Sequence, residues 1–288
     1  MSQRIALALV TLALATGLAA ADPVETGDWG QLLRYREENM RLSAAGAAAP
    51  RVIFIGDSIT EGWNLAGLAL PRLEMLNRGI GGQTTPQMLL RFRQDVVELK
   101  PAVVHILAGT NDLAGNTGPT TLQVIEDNLM SMVEIAAANH VRVVLGSVPP
   151  ALDFPWRPGG QPAPRIVALN AWMRAYARRR KLVYADYYSA LADSRRGIKS
   201  ALSDDGVHPN AAGYVVMTPL ARQSILRALR QRCGGGTRVC VAARWRATRG
   251  RAARSADGLP SATTRAADAG PSETPPSPPR APDRAGSG

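Results

Sequence analysis

Cysteine, histidine and long apolar runs are the scarce features of this 288-residue chain, and each scarcity removes a class of protein. The two cysteines, Cys233 and Cys240, lie close together near the carboxyl end. The predicted core therefore uses neither a disulfide nor a thiolate metal site, and an oxidised pair would close only one small loop. Histidine occurs three times, as His105, His140 and His208, which is meagre for a catalytic metal centre built on several imidazoles. The longest apolar run, residues 5–18, has about 14 residues where a bilayer span needs roughly 20. A membrane anchor is the alternative reading of that run. Its flanks instead predict a cleavable signal peptide over residues 1–21: a basic start through Arg4, then Ala19 and Ala21 as small residues before a cut at Asp22. The chain is thus expected to be periplasmic or secreted, without a stable membrane anchor. No cysteine stands at the cut to carry a lipid.

Large aliphatic residues are also nearly absent from residues 233–288, which consist mainly of Arg, Ala, Gly, Pro, Ser and Thr. Such a composition cannot bury enough surface to order itself, so a disordered tail is expected, either a natural one or a GC-rich gene read in a shifted frame. The tail carries nine Arg against four acidic residues, so +5 of the net +11 belongs to it and +6 to the rest. A basic surplus invites a nucleic-acid reading. Here the run Arg178, Arg179, Arg180, Lys181 falls where a helix should end, a position that the helix dipole favours for cations. No nucleic-acid partner is expected.

What remains alternates strand and helix patterns. The organising stretch is RVIFIGDSIT, residues 51–60, an apolar strand that stops at Gly56 and Asp57 and delivers Ser58 to its carboxyl end. Further strands are expected over residues 74–79, 102–108, 141–148 and 182–186. Helices are expected over 28–42, 86–99, 122–138, 166–179 and from Pro209 to about Leu229, with a helix or irregular arm over 59–69. Residues 79–85, GIGGQTT, read as a glycine-rich turn. Residues 149–164, with six prolines, read as a long loop. Repeated β-α order without a hairpin signal predicts a parallel sheet with helices on both faces. The boundaries follow: an N-terminal helix and linker over 22–50 and one domain over 51–232.

A parallel sheet points every carboxyl end the same way, so the polar strand ends should share one edge. They are Gly56-Asp57-Ser58, the glycine turn, Gly109-Thr110-Asn111-Asp112, and the loop Asp204 to Pro209. A serine nucleophile needs a base. His105 sits inside an apolar strand and His140 at a helix-to-strand turn, whereas His208 lies in a polar loop. Asp205, three residues earlier, is placed to fix the His208 tautomer while the other ring nitrogen faces Ser58. Backbone N–H groups of Ser58 and Gly82 and the amide of Asn111 are candidate oxyanion donors, with ordinary turn roles as the alternative. Asp57 and Asp112 read either as metal ligands or as braces for the strand ends. Trp63 and Trp156 read either as walls of an acyl or alcohol pocket or as packing.

Four ordered blocks, GDS, NRGIGGQT, GTND and DGVHP, resemble the SGNH (GDSL-type) hydrolase superfamily over roughly residues 51–229. FIGDS followed by NRGIGGQTT is similar to the branch of platelet-activating-factor acetylhydrolase catalytic subunits and bacterial secreted acylhydrolases. The resemblance implies a flavodoxin-like three-layer α/β sandwich with five parallel strands in the order 2-1-3-4-5. It implies Ser58 as nucleophile, Asp205 and His208 as orienting acid and base, and Ser58, Gly82 and Asn111 as the oxyanion hole, with no cofactor and no metal. Gln83 stands where many relatives have Asp. The implied substrate is a small-molecule or carbohydrate ester with a short acyl group, such as O-acetyl on a sugar or lipid, with lysophospholipids, thioesters or aryl esters as alternatives. A metal-dependent phosphoesterase and a non-catalytic periplasmic carbohydrate-binding protein are the competing classes.

Overall fold

A strand such as RVIFIG, apolar at every position, belongs where both faces of a sheet are covered. In the computed structural model it is the central strand β1 (Arg51–Gly56), buried along its whole length. The structure describes residues 27–68 and 70–231; the expected signal peptide (1–21) and the tail (233–288) with both cysteines lie outside the described residues. β1 pairs in parallel with β2 (Glu74–Gly79) on one side and β3 (Val103–Leu107) on the other. β4 (Arg142–Gly146) and β5 (Val183–Ala185) complete a five-stranded sheet in the order β2-β1-β3-β4-β5.

Alternation along β1 divides the core in two. Ile53 and Ile55 face one layer with Met88 and Phe92 of α3 (Thr85–Phe92), Ile125 and Leu129 of α5 (Leu122–Ala138), and Leu169 and Met173 of α6 (Ala163–Arg180). Val52 and Phe54 face the other with Ile59 of α2 (Ser58–Glu61), Leu191 of α7 (Tyr187–Leu191), and Met217 and Ile225 of α8 (Ala211–Arg230). Local signals set the helix starts. Thr121 caps α5 by accepting from the Val124 N–H, and Asn210 caps α8 by accepting from that of Gly213. Pro209 thus precedes the cap rather than occupying the first helical turn.

The single helix expected over residues 28–42 is only half present. The Asp28 carboxylate accepts from the N–H groups of Leu32 and Leu33 at 2.8 and 2.7 Å, and Gln31 has a φ of 52°. Residues 29–35 form successive turns, and α1 (Arg36–Ala45) begins after them. Carbonyls that a helix would have used accept instead from glutamines of the neighbouring segment: Gly30 from Gln83, Trp29 from Gln87, Leu32 from Gln94. The helix expected over 86–99 is α3 followed by one wider π turn, Arg93–Val97.

Beneath the ends of β1 and β2 lies a fully buried guanidinium. Arg91 donates to the Gly56 carbonyl, the Arg78 carbonyl, the Gln83 side chain and Asp95 at 2.6 to 3.1 Å. Asp95 also accepts from Asn39 at 2.6 Å, which ties α1 to the same knot. Replacing Arg91 by Met should cost about 3 to 5 kcal/mol, since it leaves the Asp95 carboxylate buried without its cation. Urea unfolding measures this directly, and a midpoint equal to that of the parent would show that the pair contributes nothing.

Candidate active site

β1 stops at Gly56 because nothing larger fits: a Cβ there would lie 2.1 Å from Thr60 Oγ1 and 2.6 Å from the Leu107 carbonyl. The chain turns at Asp57, whose carboxylate accepts from the Ile59 N–H at 3.0 Å and so caps α2. Ser58 is the first residue of that helix. Its Oγ lies 2.8 Å from Nε2 of His208, across 150 residues of sequence. Nδ1 of His208 lies 2.6 Å from Oδ2 of Asp205. A proton on Nδ1, held by the carboxylate, leaves the Nε2 lone pair facing the serine hydroxyl.

Asp205 is itself held by its loop. Its Oδ1 accepts from the N–H groups of Val207 and His208 at 2.9 and 2.8 Å and from Ser203 Oγ at 3.1 Å. Partial burial works to raise this carboxyl, but the hydrogen bonds from the His208 ring and from the two backbone N–H groups outweigh it and hold the group at about 2. The partner of the imidazole is therefore ionised at any pH where the protein would work.

On the other side of Ser58 runs the glycine turn. A Cβ added to Gly81 would lie 3.9 Å from the Ser58 Cβ, and Gly82 has a φ of 75°, a backbone that glycine adopts without strain. Glu61 accepts from the Gly81 N–H at 2.8 Å. Among the described residues, the N–H groups of Ser58 and Gly82 have no backbone or side-chain acceptor. Asn111 enters from the start of α4 (Thr110–Ala114), is 2% exposed, and donates one amide hydrogen to the Gln83 carbonyl at 3.0 Å, which leaves the second free.

The other expected residues divide clearly. Trp63 does not wall this site: it is 2% exposed and packs on Phe54, His105, Tyr187 and Tyr214, because its ring turns into the core beneath the 59–69 arm. Trp156 is 41% exposed and its ring centroid lies 6.0 Å from that of His208. Asp112 accepts from the Thr85 N–H and Oγ and so holds the start of α3. His105 is buried, hydrogen-bonded to Tyr187 at 2.7 Å, and pushed down to about 3 by burial. His140 lies in the turn after α5 with a φ of 61°. Among the described residues no three His, Cys, Asp or Glu side chains gather as a metal would require.

Sequence reading missed three contributors. Asn116, in a turn-like AGNTG stretch with no distinguishing signal, bonds to both Asn111 and Gly82. Gln83, in the turn just before the cap of α3, joins Arg91 to the Gly30 carbonyl; its standing where many relatives have Asp was the available hint. The arm over residues 28–31 walls a cleft of about 500 Å3 that also borders Gly81, Gly82, Asn116 and Trp156.

A serine paired to an imidazole and a carboxylate, with backbone and amide donors opposite, at the carboxyl edge of a 2-1-3-4-5 parallel sheet, defines a serine hydrolase of the GDSL type. Residues 54–216 match the GDSL-like Lipase/Acylhydrolase family, and the chain belongs to that family, whose members act on carboxylic esters. The solved structure of a candidate acylhydrolase from Bacteroides fragilis is 43% identical, with a TM-score of 0.66, over 71% of this chain and 100% of that one. Esterase TesA of Pseudomonas aeruginosa is 28% identical over 58% of this chain and 83% of its own. Lipoprotein YqeF of Bacillus subtilis is 32% identical over 35% of this chain, and the match spans about half, 49%, of that protein.

Two carboxyls of the site should titrate stability in opposite senses. Asp205, depressed to about 2, stabilises the fold above its unfolded pKa of 3.8, and that contribution is lost as pH falls toward 2. Asp57 is pushed up from 3.8 to about 7, chiefly by burial; the stability of its neutral form is complete below 3.8 and is lost as pH rises through about 7. Asp57→Asn should therefore flatten the decline of the urea midpoint across that range. A variant that declines as steeply as the parent would assign the titration to another group.

Proposed function

We propose that this chain is an exported serine esterase that removes short acyl groups, such as acetyl, from a polar ring-bearing alcohol such as a sugar, with residues 51–232 as its hydrolase domain. The observation that carries this reading is the continuous relay from Ser58 Oγ through His208 to Asp205 at 2.8 and 2.6 Å, facing N–H groups that lack acceptors. His208 Nε2 takes the hydroxyl proton as Oγ bonds to the ester carbonyl carbon, and the carbonyl electron pair becomes an oxyanion held by Ser58 N–H, Gly82 N–H and the free Asn111 amide hydrogen. Collapse breaks the bond to the alcohol oxygen, which leaves with the proton from His208. Water then repeats the sequence on the acyl-enzyme: its proton goes to His208, the carboxylic acid departs, and Ser58 Oγ recovers a proton.

The cleft beside Gly82 supports a sugar as the alcohol. Trp29 and Trp156, each 41% exposed, line it together with Gln31, Thr117 and Arg157. Aromatic faces among hydrogen-bonding groups suit a ring with an apolar face and a polar rim. A second groove of about 410 Å3 beside Asp205, lined by Leu152, Phe154, Pro155 and Ile198, favours an aryl or longer acyl group and is the alternative. Export is supported by the basic, apolar and small-residue order of residues 1–21 and by the relation to a lipoprotein.

Turnover of p-nitrophenyl acetate, butyrate and octanoate, alongside acetylated sugars, tests the reading. Acetyl esters should be the best substrates and Ser58→Ala inactive, with activity unchanged in chelator. Asn111→Ala should lower kcat by about 10²- to 10³-fold, the cost of one oxyanion donor. Activity lost in chelator and restored by a divalent metal would replace the serine mechanism with a metal-dependent one. Trp29→Ala should raise KM for acetylated sugars and leave p-nitrophenyl acetate unaffected.

A further inference from the structure

Asn116 makes no hydrogen bond to Ser58 or to His208, yet it holds two of the three oxyanion donors. Its amide nitrogen donates to Asn111 Oδ1 at 2.9 Å and to the Gly82 carbonyl at 3.2 Å. Its amide oxygen accepts from Trp156 Nε1 at 3.0 Å. The indole only donates and the carbonyl only accepts, so the orientation of the Asn116 amide is fixed. That fixes Asn111 in turn: its oxygen must face Asn116, so its nitrogen faces Gln83 and the reacting carbonyl. At Gly82, whose φ of 75° glycine adopts without strain, the same side chain holds the carbonyl end of a peptide whose other end, the Gln83 N–H, closes the turn on the Ile80 carbonyl at 3.4 Å.

We propose that Asn116 is the positioning residue of the oxyanion hole, and that Trp156 couples it to the occupant of the cleft. This rests on the serine-esterase reading. Trp156 belongs to the proline-rich loop, lines the cleft and packs beside the His208 ring. A group stacked on the indole restrains it and, through Asn116, restrains both donors. Binding at a distance from the scissile bond then acts on kcat rather than on KM.

The test compares Asn116→Ala, Asn116→Asp and Trp156→Phe with Asn111→Ala and the Asn111→Ala/Asn116→Ala double variant, using p-nitrophenyl acetate turnover and thermal unfolding. Asn116→Ala should lower kcat by roughly ten- to a hundredfold, below the loss of a whole donor, with KM and the melting temperature nearly unchanged. Asn116→Asp keeps the acceptor for Trp156 but cannot donate, so it should lose at least as much. Trp156→Phe keeps a ring and removes only the N–H, and should lower kcat with little change in KM. In the Asn111→Ala background the Asn116→Ala loss should shrink sharply, as expected when one residue acts through another. A kcat for Asn116→Ala within about twofold of the parent, or an equal loss in both backgrounds, overturns the proposal, since coupled residues deviate from additivity. Turnover that survives Ser58→Ala overturns the serine reading, and this proposal with it.

Discussion

The guanidinium of Arg91 carries a charge where no water reaches, and the carboxyl edge of the sheet is arranged to satisfy it. A buried ion costs several kcal/mol unless its partners are complete. Arg91 has them from four directions: the last carbonyl of β1, a carbonyl of β2, the Gln83 side chain and Asp95. Satisfying one cation therefore fixes the spacing between the end of β1, which launches Ser58, and the turn that carries Gly82. The arm before the domain is drawn in as well, through Asn39 on Asp95 and through Gln83 on the Gly30 carbonyl.

Three aspartates near this edge show how environment assigns roles. Asp205 is 41% exposed and is kept ionised by hydrogen bonds, so it can support an imidazolium. Asp112 is almost fully buried and spends its oxygens on Thr85, which makes it a brace. Asp57 is wholly buried, with one oxygen on the Ile59 N–H and the other without a partner among the described residues. A proton on that second oxygen removes the charge that burial penalises. Both non-relay carboxylates therefore act on the backbone, and neither presents itself as part of a metal set.

The frame of the molecule was legible because its cause is periodic. β2 runs over Glu74–Gly79 and α5 over Leu122–Ala138, as their alternation and spacing predict. That Ser58, Asp205 and His208 meet was legible from the four ordered blocks GDS, NRGIGGQT, GTND and DGVHP taken together, since Asp-x-x-His alone reads equally as an ordinary surface loop. Elements without periodicity were not. α4 and α7 have five residues each, too short to show a face. Residues 29–35 have the composition of an amphipathic helix, but Asp28 and three glutamines offer its backbone better partners. Trp63 shows the limit for single residues, because a tryptophan after a catalytic motif looks the same in sequence whether its ring turns toward the core or the cleft.

Under the proposed serine mechanism, the two halves of the site make opposite demands on water. The acid–base half carries its charge on an exposed carboxylate, which local hydrogen bonds hold in place and water need not leave. The oxyanion half must be dry and rigid, because donors stabilise developing charge most in a low dielectric and when no reorganisation is needed. Asn111 accordingly is 2% exposed and held at both ends of its amide. The four-residue turn from Ile80 to Gln83, with glycine at 81 and 82, cannot supply that rigidity by itself. It comes instead from side chains that reach in from outside the turn: Glu61 on the Gly81 N–H, Asn116 on the Gly82 carbonyl, and Arg91 on Gln83. The glycines let the chain approach the substrate, and the polar residues around them remove the freedom that the glycines bring.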